Sequence, residues 1–390
     1  MITRKSVEGA YPVTTLDNVV NFLDSKRRPV TESERKAGPY PYYGANGVQG
    51  TIDGYIFDEP LVLLAEDGGH FDDPERGIAY RISGKTWVNN HAHVLQPKSC
   101  LDLAFLCRVL ENYDVKPFVT GTTRGKLTKA GASGILIPMP PLPEQRRIAT
   151  ILDQADALRA KRREALAQLD SLTQSIFIEM FGDPVTNPKG WSRVRFASLL
   201  ENIDSGWSPV CMDRAAQGDE WGVLKLGAVT SCAYKESENK ALPEGVAFDS
   251  KIEVKPGDLL FSRKNTYHLV AACALVDATR ERLMLSDLIF RFRLNSDAKV
   301  EKQYLQSLLI FPSKRSEVQK LAGGSSGSMP NISKGRLLEL DIELPPFSLQ
   351  QIYSTRIQSI EALKTAHRKS LAELDTLFAS LQHRAFAGEL

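Results

Sequence analysis

The chain has 390 residues, too many for one compact core, so its length points to two or more domains. Its composition is ordinary for a globular protein, and a formal net charge of only +2 means that any nucleic-acid partner has to be met by local patches rather than by bulk basicity. Five scattered cysteines (Cys100, Cys107, Cys211, Cys232, Cys273) without a CxxC pair argue against a disulfide framework or a zinc ribbon and for a reducing cytoplasm, and the sequence shows neither a signal-peptide core nor an apolar run long enough to span a membrane.

In chain order, residues 1–139 read as a mixed α/β (α+β) domain. Glycine, proline and aromatic clusters separate short strand-like runs at residues 55–57, 61–65, 87–88 and 93–95, and a short helix is expected over 102–112. Residues 140–182 begin with Pro-Pro and, after Pro143, run without proline or glycine up to Gly182, which predicts one long helix. Residues 183–344 read as a second domain of the same kind, with strands expected at 222–226, 258–261, 269–276 and 288–294 and a helix at 302–310. Residues 345–390 begin with another Pro-Pro and predict a second long helix.

The two helical stretches are copies. With a constant shift of 205, residues 140–181 and 345–386 are identical at 14 of 42 positions, among them Gln145/Gln350, Leu158/Leu363, Asp170/Asp375, Leu172/Leu377 and Phe181/Phe386. The match extends back through Leu127/Ile332, Thr128/Ser333, Lys129/Lys334 and Ile137/Ile342. Stepping by three and four gives Ile148, Ile151, Ala155, Leu158, Arg162, Ala165, Leu169, Leu172, Ile176 and Glu179 in the first copy. In the second it gives Tyr353, Arg356, Ile360, Leu363, His367, Ser370, Leu374, Leu377, Leu381 and Arg384. These are the seams of a coiled coil, and each copy is expected to bury its seam on the other in an antiparallel pair. The architecture is therefore globule–helix–globule–helix with a pseudo-two-fold internal repeat.

Catalytic signatures are missing. Residues 121–127 have the wrong spacing for a phosphate-binding loop, there is no GxSxG, and no Asn/Asp-Pro-Pro-aromatic motif of an amino-methyltransferase occurs. His91-Ala92-His93 has no clear third ligand in sequence, so hydrogen-bonding histidines are expected there and no metal site is assigned.

Several motifs recur together at set spacings: Tyr42-Tyr43-Gly44-Ala45-Asn46-Gly47, Val88-Asn89-Asn90-His91-Ala92-His93-Val94-Leu95, and Ile137-Pro138-Met139-Pro140-Pro141-Leu142-Pro143-Glu144-Gln145. Val254-Lys255-Pro256-Gly257-Asp258-Leu259-Leu260-Phe261-Ser262-Arg263 and Ser286-Asp287-Leu288-Ile289-Phe290-Arg291 follow in the second half. With the duplication, they make the whole chain resemble the DNA-specificity (S) subunit of type I restriction-modification systems. One departure is Pro346-Phe347-Ser348-Leu349-Gln350, where the first copy has Pro141-Leu142-Pro143-Glu144-Gln145.

The resemblance implies two target-recognition domains, each reading half of an asymmetric bipartite sequence in double-stranded DNA, with the helices as ruler. It implies two methyltransferase subunits that N6-methylate adenine with their own S-adenosylmethionine, and up to two motor-nuclease subunits using ATP and Mg. This chain would be cytoplasmic, non-catalytic and free of cofactors. The alternatives are a specificity subunit of a type IIB-like or phage-exclusion methylation system, or a coiled-coil interaction scaffold that binds no DNA.

Local basic and polar groups nominate the DNA contacts. In the first domain they are Lys26, Arg27, Arg28, Tyr43, Asn46, Asn89, Asn90, Thr122, Thr123, Arg124 and Lys126. In the second they are Trp207, Ser208, Arg263, Lys264, Asn265, Ser325, Ser326 and Asn331. Partner binding is expected of Leu142, Glu144, Gln145, Leu169, Leu172, Phe347, Gln350, Leu374 and Leu377 on the helices.

Overall fold

The computed structural model describes residues 11–73, 76–121, 125–323 and 329–390. It divides into two compact units. The first runs to Glu164 and includes His367–Leu390; the second is Ala165–Ala366.

In the first unit a four-stranded antiparallel sheet has the order β2-β9-β6-β7, built from β2 (Val20–Phe22), β6 (Leu61–Ala65), β7 (Ala79–Ile82) and β9 (Ala92–Pro97). A second sheet, β4-β3-β8-β5, comprises β3 (Tyr40–Gly44), β4 (Gly47–Ile52), β5 (Phe57–Asp58) and β8 (Lys85–Val88), with β3 and β8 parallel. The short pairs β1 (Val13–Thr15) with β12 (Leu136–Pro138) and β10 (Val119–Thr120) with β11 (Lys126–Leu127) complete it. All five residues of β6 are buried, the mark of a central strand covered on both faces. Helix Leu103–Leu110 lies against this core, capped by Asp102, whose carboxylate accepts from the N–H groups of Ala104 and Phe105.

The second unit repeats that plan. β14 (Leu200–Ser205), β17 (Leu259–Ser262), β18 (Cys273–Leu275) and β20 (Ile289–Leu294) form the antiparallel order β14-β20-β17-β18. β15 (Gly222–Leu224), β16 (Asn239–Ala241) and β19 (Leu283–Met284) form β16-β15-β19, with β15 and β19 parallel. β13 (Ser192–Arg195) pairs with β21 (Asp341–Leu344) as β1 does with β12. Helix Lys302–Ile310 takes the place of Leu103–Leu110. The duplicated residues keep their roles: Leu127/Ile332 and Ile137/Ile342 are fully buried, and Thr128 and Ser333 each cap a five-residue helix.

The two long helices run Leu142–Phe181 and Phe347–Ala387. Each unit holds half of both, and within each unit the halves run antiparallel. In the first, Arg159 pairs with Asp375 at 2.6 Å and Arg147 donates to the carbonyl of Leu390 at 2.7 Å. In the second, Lys364 pairs with Asp170 at 2.8 Å, while Phe177 and Phe181 pack on Tyr353. The end of each copy lies in a core built mainly from the other copy: Phe181 with Tyr304, and its counterpart Phe386 with Phe105.

The seams match the expected ones in part: Ile148, Ala155, Tyr353 and Ile360 are buried, but other positions are not. Leu158, Leu172, Leu363 and Leu377 are 51, 45, 53 and 48% exposed. The buried positions include Ile148, Leu152, Ala155, Phe177 and Met180 in the first helix and Tyr353, Ile357, Ile360, Lys364, Phe378 and Ala385 in the second. These follow 3.6-residue spacing, whereas strict seven-residue stepping drifts off the face within a few turns. Of the strand expectations, 269–276 shortens to β18. Ala271 takes a left-handed φ of 63°, which a continuous strand excludes.

Candidate nucleic-acid interface

Both units open with the same four residues around a variable triplet. Asp24-Ser25 and Pro29-Val30 in the first match Asp204-Ser205 and Pro209-Val210 in the second, with Lys26-Arg27-Arg28 or Gly206-Trp207-Ser208 between. In each the aspartate follows or ends the edge strand and faces a buried cationic-type side chain on the neighbouring strand. Asp24 accepts from His93 (2.6 Å) and from the Val94 N–H (2.9 Å). Asp204 accepts from Arg291 (2.7 and 2.9 Å) and Arg293 (2.7 Å). Burial works to raise both aspartates, but hydrogen bonds and charge from His93, or from the two arginines, outweigh it and hold both carboxyls below their ordinary range. The chain beyond the aspartate is then pinned to the second sheet: Arg28 N–H donates to Val88 O, and Trp207 N–H to Leu285 O.

In the first unit the pinned loop forms one wall of a cleft of about 480 Å³, with Asn46, Gln49, Asp67, Asn89, Asn90 and His91 among its lining. Gly47, at φ 106°, makes the tight β3–β4 turn that presents Asn46, whose amide donates to Gly68 O at 2.9 Å. Lys26, Arg28, Asn46 and Asn90 are exposed, and Tyr43 is half-buried against Tyr80. Asn89 turns inward, donating to Gln49 (3.1 Å) and accepting from the His91 N–H (2.8 Å). Arg27 is also turned inward. Its guanidinium meets Glu66 at 2.6 Å and the Ala92 carbonyl at 2.7 Å, so it braces the loop instead of facing solvent. Lys126 pairs with the other Glu66 oxygen at 3.1 Å and keeps about half its side chain exposed. Asp24, Glu66 and His93 lie close enough together to hold a metal ion, but Arg27 and Lys126 already supply the positive charge against these carboxylates.

In the second unit Trp207, Ser208, Arg263, Lys264 and Asn331 come together around residues 285–288. Ser208 and Asp287 hydrogen-bond to each other. Arg263 donates to Asp287 O (3.3 Å) and to Asn331 (3.1 Å) and stacks over Phe290, while Lys264 bridges to Asn331. The Trp207 indole is 45% exposed. Asn265 points inward, donating to Thr230 and accepting from the Thr266 N–H. Thr122, Thr123, Arg124, Ser325 and Ser326 lie outside the described residues. Gln49, Asp67, His91 and Asp287 join these faces without having been nominated. The His91-Ala92-His93 and Ser286-Asp287 motifs signal His91 and Asp287, whereas no motif marks Gln49 or Asp67.

The helix residues divide sharply. Gln145 and Gln350, expected at a partner surface, are 1 and 0% exposed. Gln145 accepts from the Asp102 N–H (2.8 Å) and donates to Cys100 O and Pro140 O. Gln350 accepts from the Glu301 N–H (2.9 Å) and donates to Lys299 O and Pro345 O. Each glutamine thus ties the start of a long helix to the entry of the short helix in its own unit, and its amide is fully used there. Glu144 is paired with Arg147, whose hydrogen bonds hold its carboxyl low. Leu169, Phe347 and Leu374 are half-buried, and Leu172 and Leu377 are exposed. No helix among the described residues is long and apolar enough to cross a membrane.

The sequence model of the family described as "Type I restriction modification DNA specificity domain" matches residues 10–168. A putative type I restriction enzyme specificity subunit of Haemophilus influenzae is 42% identical over 146 residues, 37% of each chain. The EcoEI specificity subunit of Escherichia coli is 36% identical over 168 residues, 43% of this chain and 28% of that one. These two matches thus span well under half of the relatives' length. The EcoKI specificity subunit of Escherichia coli is 24% identical over 97% of this chain and 88% of its own. Among solved structures, the type I S subunit from M. genitalium has a TM-score of 0.64 at 13% identity, covering 97% of this chain and 96% of that one, which shows a shared fold. Residues 10–168 thus match the type I restriction-modification DNA specificity domain, and over nearly its whole length the chain is similar to a type I specificity subunit and shares its fold with a solved one.

Proposed function

We propose that this chain is the sequence-reading subunit of a type I restriction-modification complex, with each unit reading one half of a bipartite DNA target and neither doing chemistry. The observation that carries the reading is the repeat itself. Two units share a strand order and an anchoring aspartate, yet set different side chains on the equivalent loops, as two readers of different half-sites require. Methyl transfer belongs to partner subunits with their own S-adenosylmethionine, and translocation to motor partners with ATP and Mg, because the sequence lacks motifs for either.

The exposed leucines support two methyltransferase copies. Leu158/Leu363 and Leu172/Leu377 are equivalent by the duplication, and each unit displays one member from each helix. Leu158 and Leu377 flank the Arg159–Asp375 pair in one; Leu172 and Leu363 flank the Asp170–Lys364 pair in the other. Replacing Leu158 and Leu377 with aspartate is expected to leave folding within about 0.5 kcal/mol per site, since both are exposed. The same change should remove one methyltransferase copy from the complex by mass photometry, and changing all four leucines should remove both. A full 2:1 assembly with all four aspartates would place partner binding elsewhere.

A further inference from the structure

The matched opening loops assign a further role. We propose that the triplet between the shared Asp-Ser and Pro-Val is an interchangeable reading element, and that its two versions contact DNA by different physics. The first unit uses charge on phosphate, through Lys26 and Arg28; the second stacks the Trp207 indole against bases. This rests on the reading of these faces as DNA-contacting.

The frame is fixed at both ends in each unit. The aspartate is locked to His93 or Arg291 on the next strand, and the following backbone is pinned at Val88 or Leu285. Residues inside such a frame can vary without disturbing the sheet. In the first version the middle residue, Arg27, is consumed by Glu66 and Ala92, so its neighbours Lys26 and Arg28 carry the exposed charge. In the second version Gly206 sits where an added Cβ would lie 2.0 Å from the Leu285 carbonyl oxygen. Only glycine permits that close approach, and it brings Trp207 onto Leu285 while leaving the indole 45% exposed. A tryptophan left half exposed on a loop that shares Asp287 with Arg263, through Ser208, has the form of a stacking platform or wedge.

The two modes separate in salt. A lost phosphate contact lowers the slope of log K against log salt by roughly one, whereas a lost stack weakens binding without changing the slope. The test uses the complex of this chain with its methyltransferase, on duplex DNA carrying the target mapped by methylation sequencing. Lys26→Ala with Arg28→Ala should lower the slope by roughly two. Trp207→Ala should cost at least about ten-fold in Kd at an unchanged slope, and Trp207→Phe should recover most of it. Wild-type binding at Trp207→Ala, a changed slope, or a Trp207→Phe variant as weak as alanine would each overturn the stacking assignment. An unchanged slope in the double variant would overturn the charge assignment. A wild-type complex that shows no preference for the mapped duplex would instead overturn the DNA-reading proposal beneath both.

Discussion

Replacing Gln145 with leucine is expected to destabilise the chain by about 2–3 kcal/mol, because it removes three hydrogen bonds made by a buried amide, to the Asp102 N–H and to the carbonyls of Cys100 and Pro140. Leucine has similar volume, so the loss reports the hydrogen bonds and not a cavity. Gln350→Leu should cost a comparable amount, since its three partners are the same kind of group in the second unit. Chemical denaturation with separate probes for each unit checks both. A loss under about 1 kcal/mol for either would contradict the bracing role, because three lost hydrogen bonds, one of them buried, cost more than that together.

Arg291→Met is expected to cost about 3 kcal/mol, by leaving the half-buried Asp258 without its arginine and Asp204 with Arg293 alone. The Arg291 guanidinium meets Asp204 at 2.7 Å and Asp258 at 3.0 Å and also donates to the carbonyls of Glu253 and Lys251. This pair also sets a pH dependence. Asp204 has a folded-state pKa below its unfolded value, so its contribution is fully present above the unfolded value and is lost as pH falls through the folded one. Wild-type stability should therefore fall with acidification below the ordinary carboxylate range. The Arg291→Met variant, in which this depression is reduced to what Arg293 supplies, should show a shallower acid limb. Parallel acid limbs in the two proteins would show that the pair is not the source.

Much of the scaffold was legible because it rests on local rules. A proline cluster followed by nearly forty residues without proline or glycine can scarcely be anything but a long helix, and LVLLA at residues 61–65 became the doubly covered strand β6. The helix seam was not legible in the same way. Stepping at three and four follows a 3.5 period, whereas the burial follows 3.6, so Leu172 and Leu363 fell on the open face. At the candidate interface, residue type marked the right loops but not the direction of each side chain. Arg27, Asn89 and Asn265 look like contact residues in sequence, yet tertiary partners draw all three inward. Gln145 and Gln350 were conspicuous for being retained in both copies, and the reason proved to be internal bracing. The Asp-Ser…Pro-Val frame was present in the sequence all along. It repeats at a shift of 180, while the helices repeat at 205, so an alignment of the helices does not superpose it.

The most direct test is to exchange residues 1–139 for the corresponding domain of a family member with a different target, express the hybrid with its methyltransferase, and sequence the methylated bases of the host genome. Two separable readers predict a bipartite methylated motif in which one half changes to that of the donor and the other half is retained. A hybrid that methylates a motif altered in both halves, or altered in neither, would contradict the assignment of one half-site to each unit.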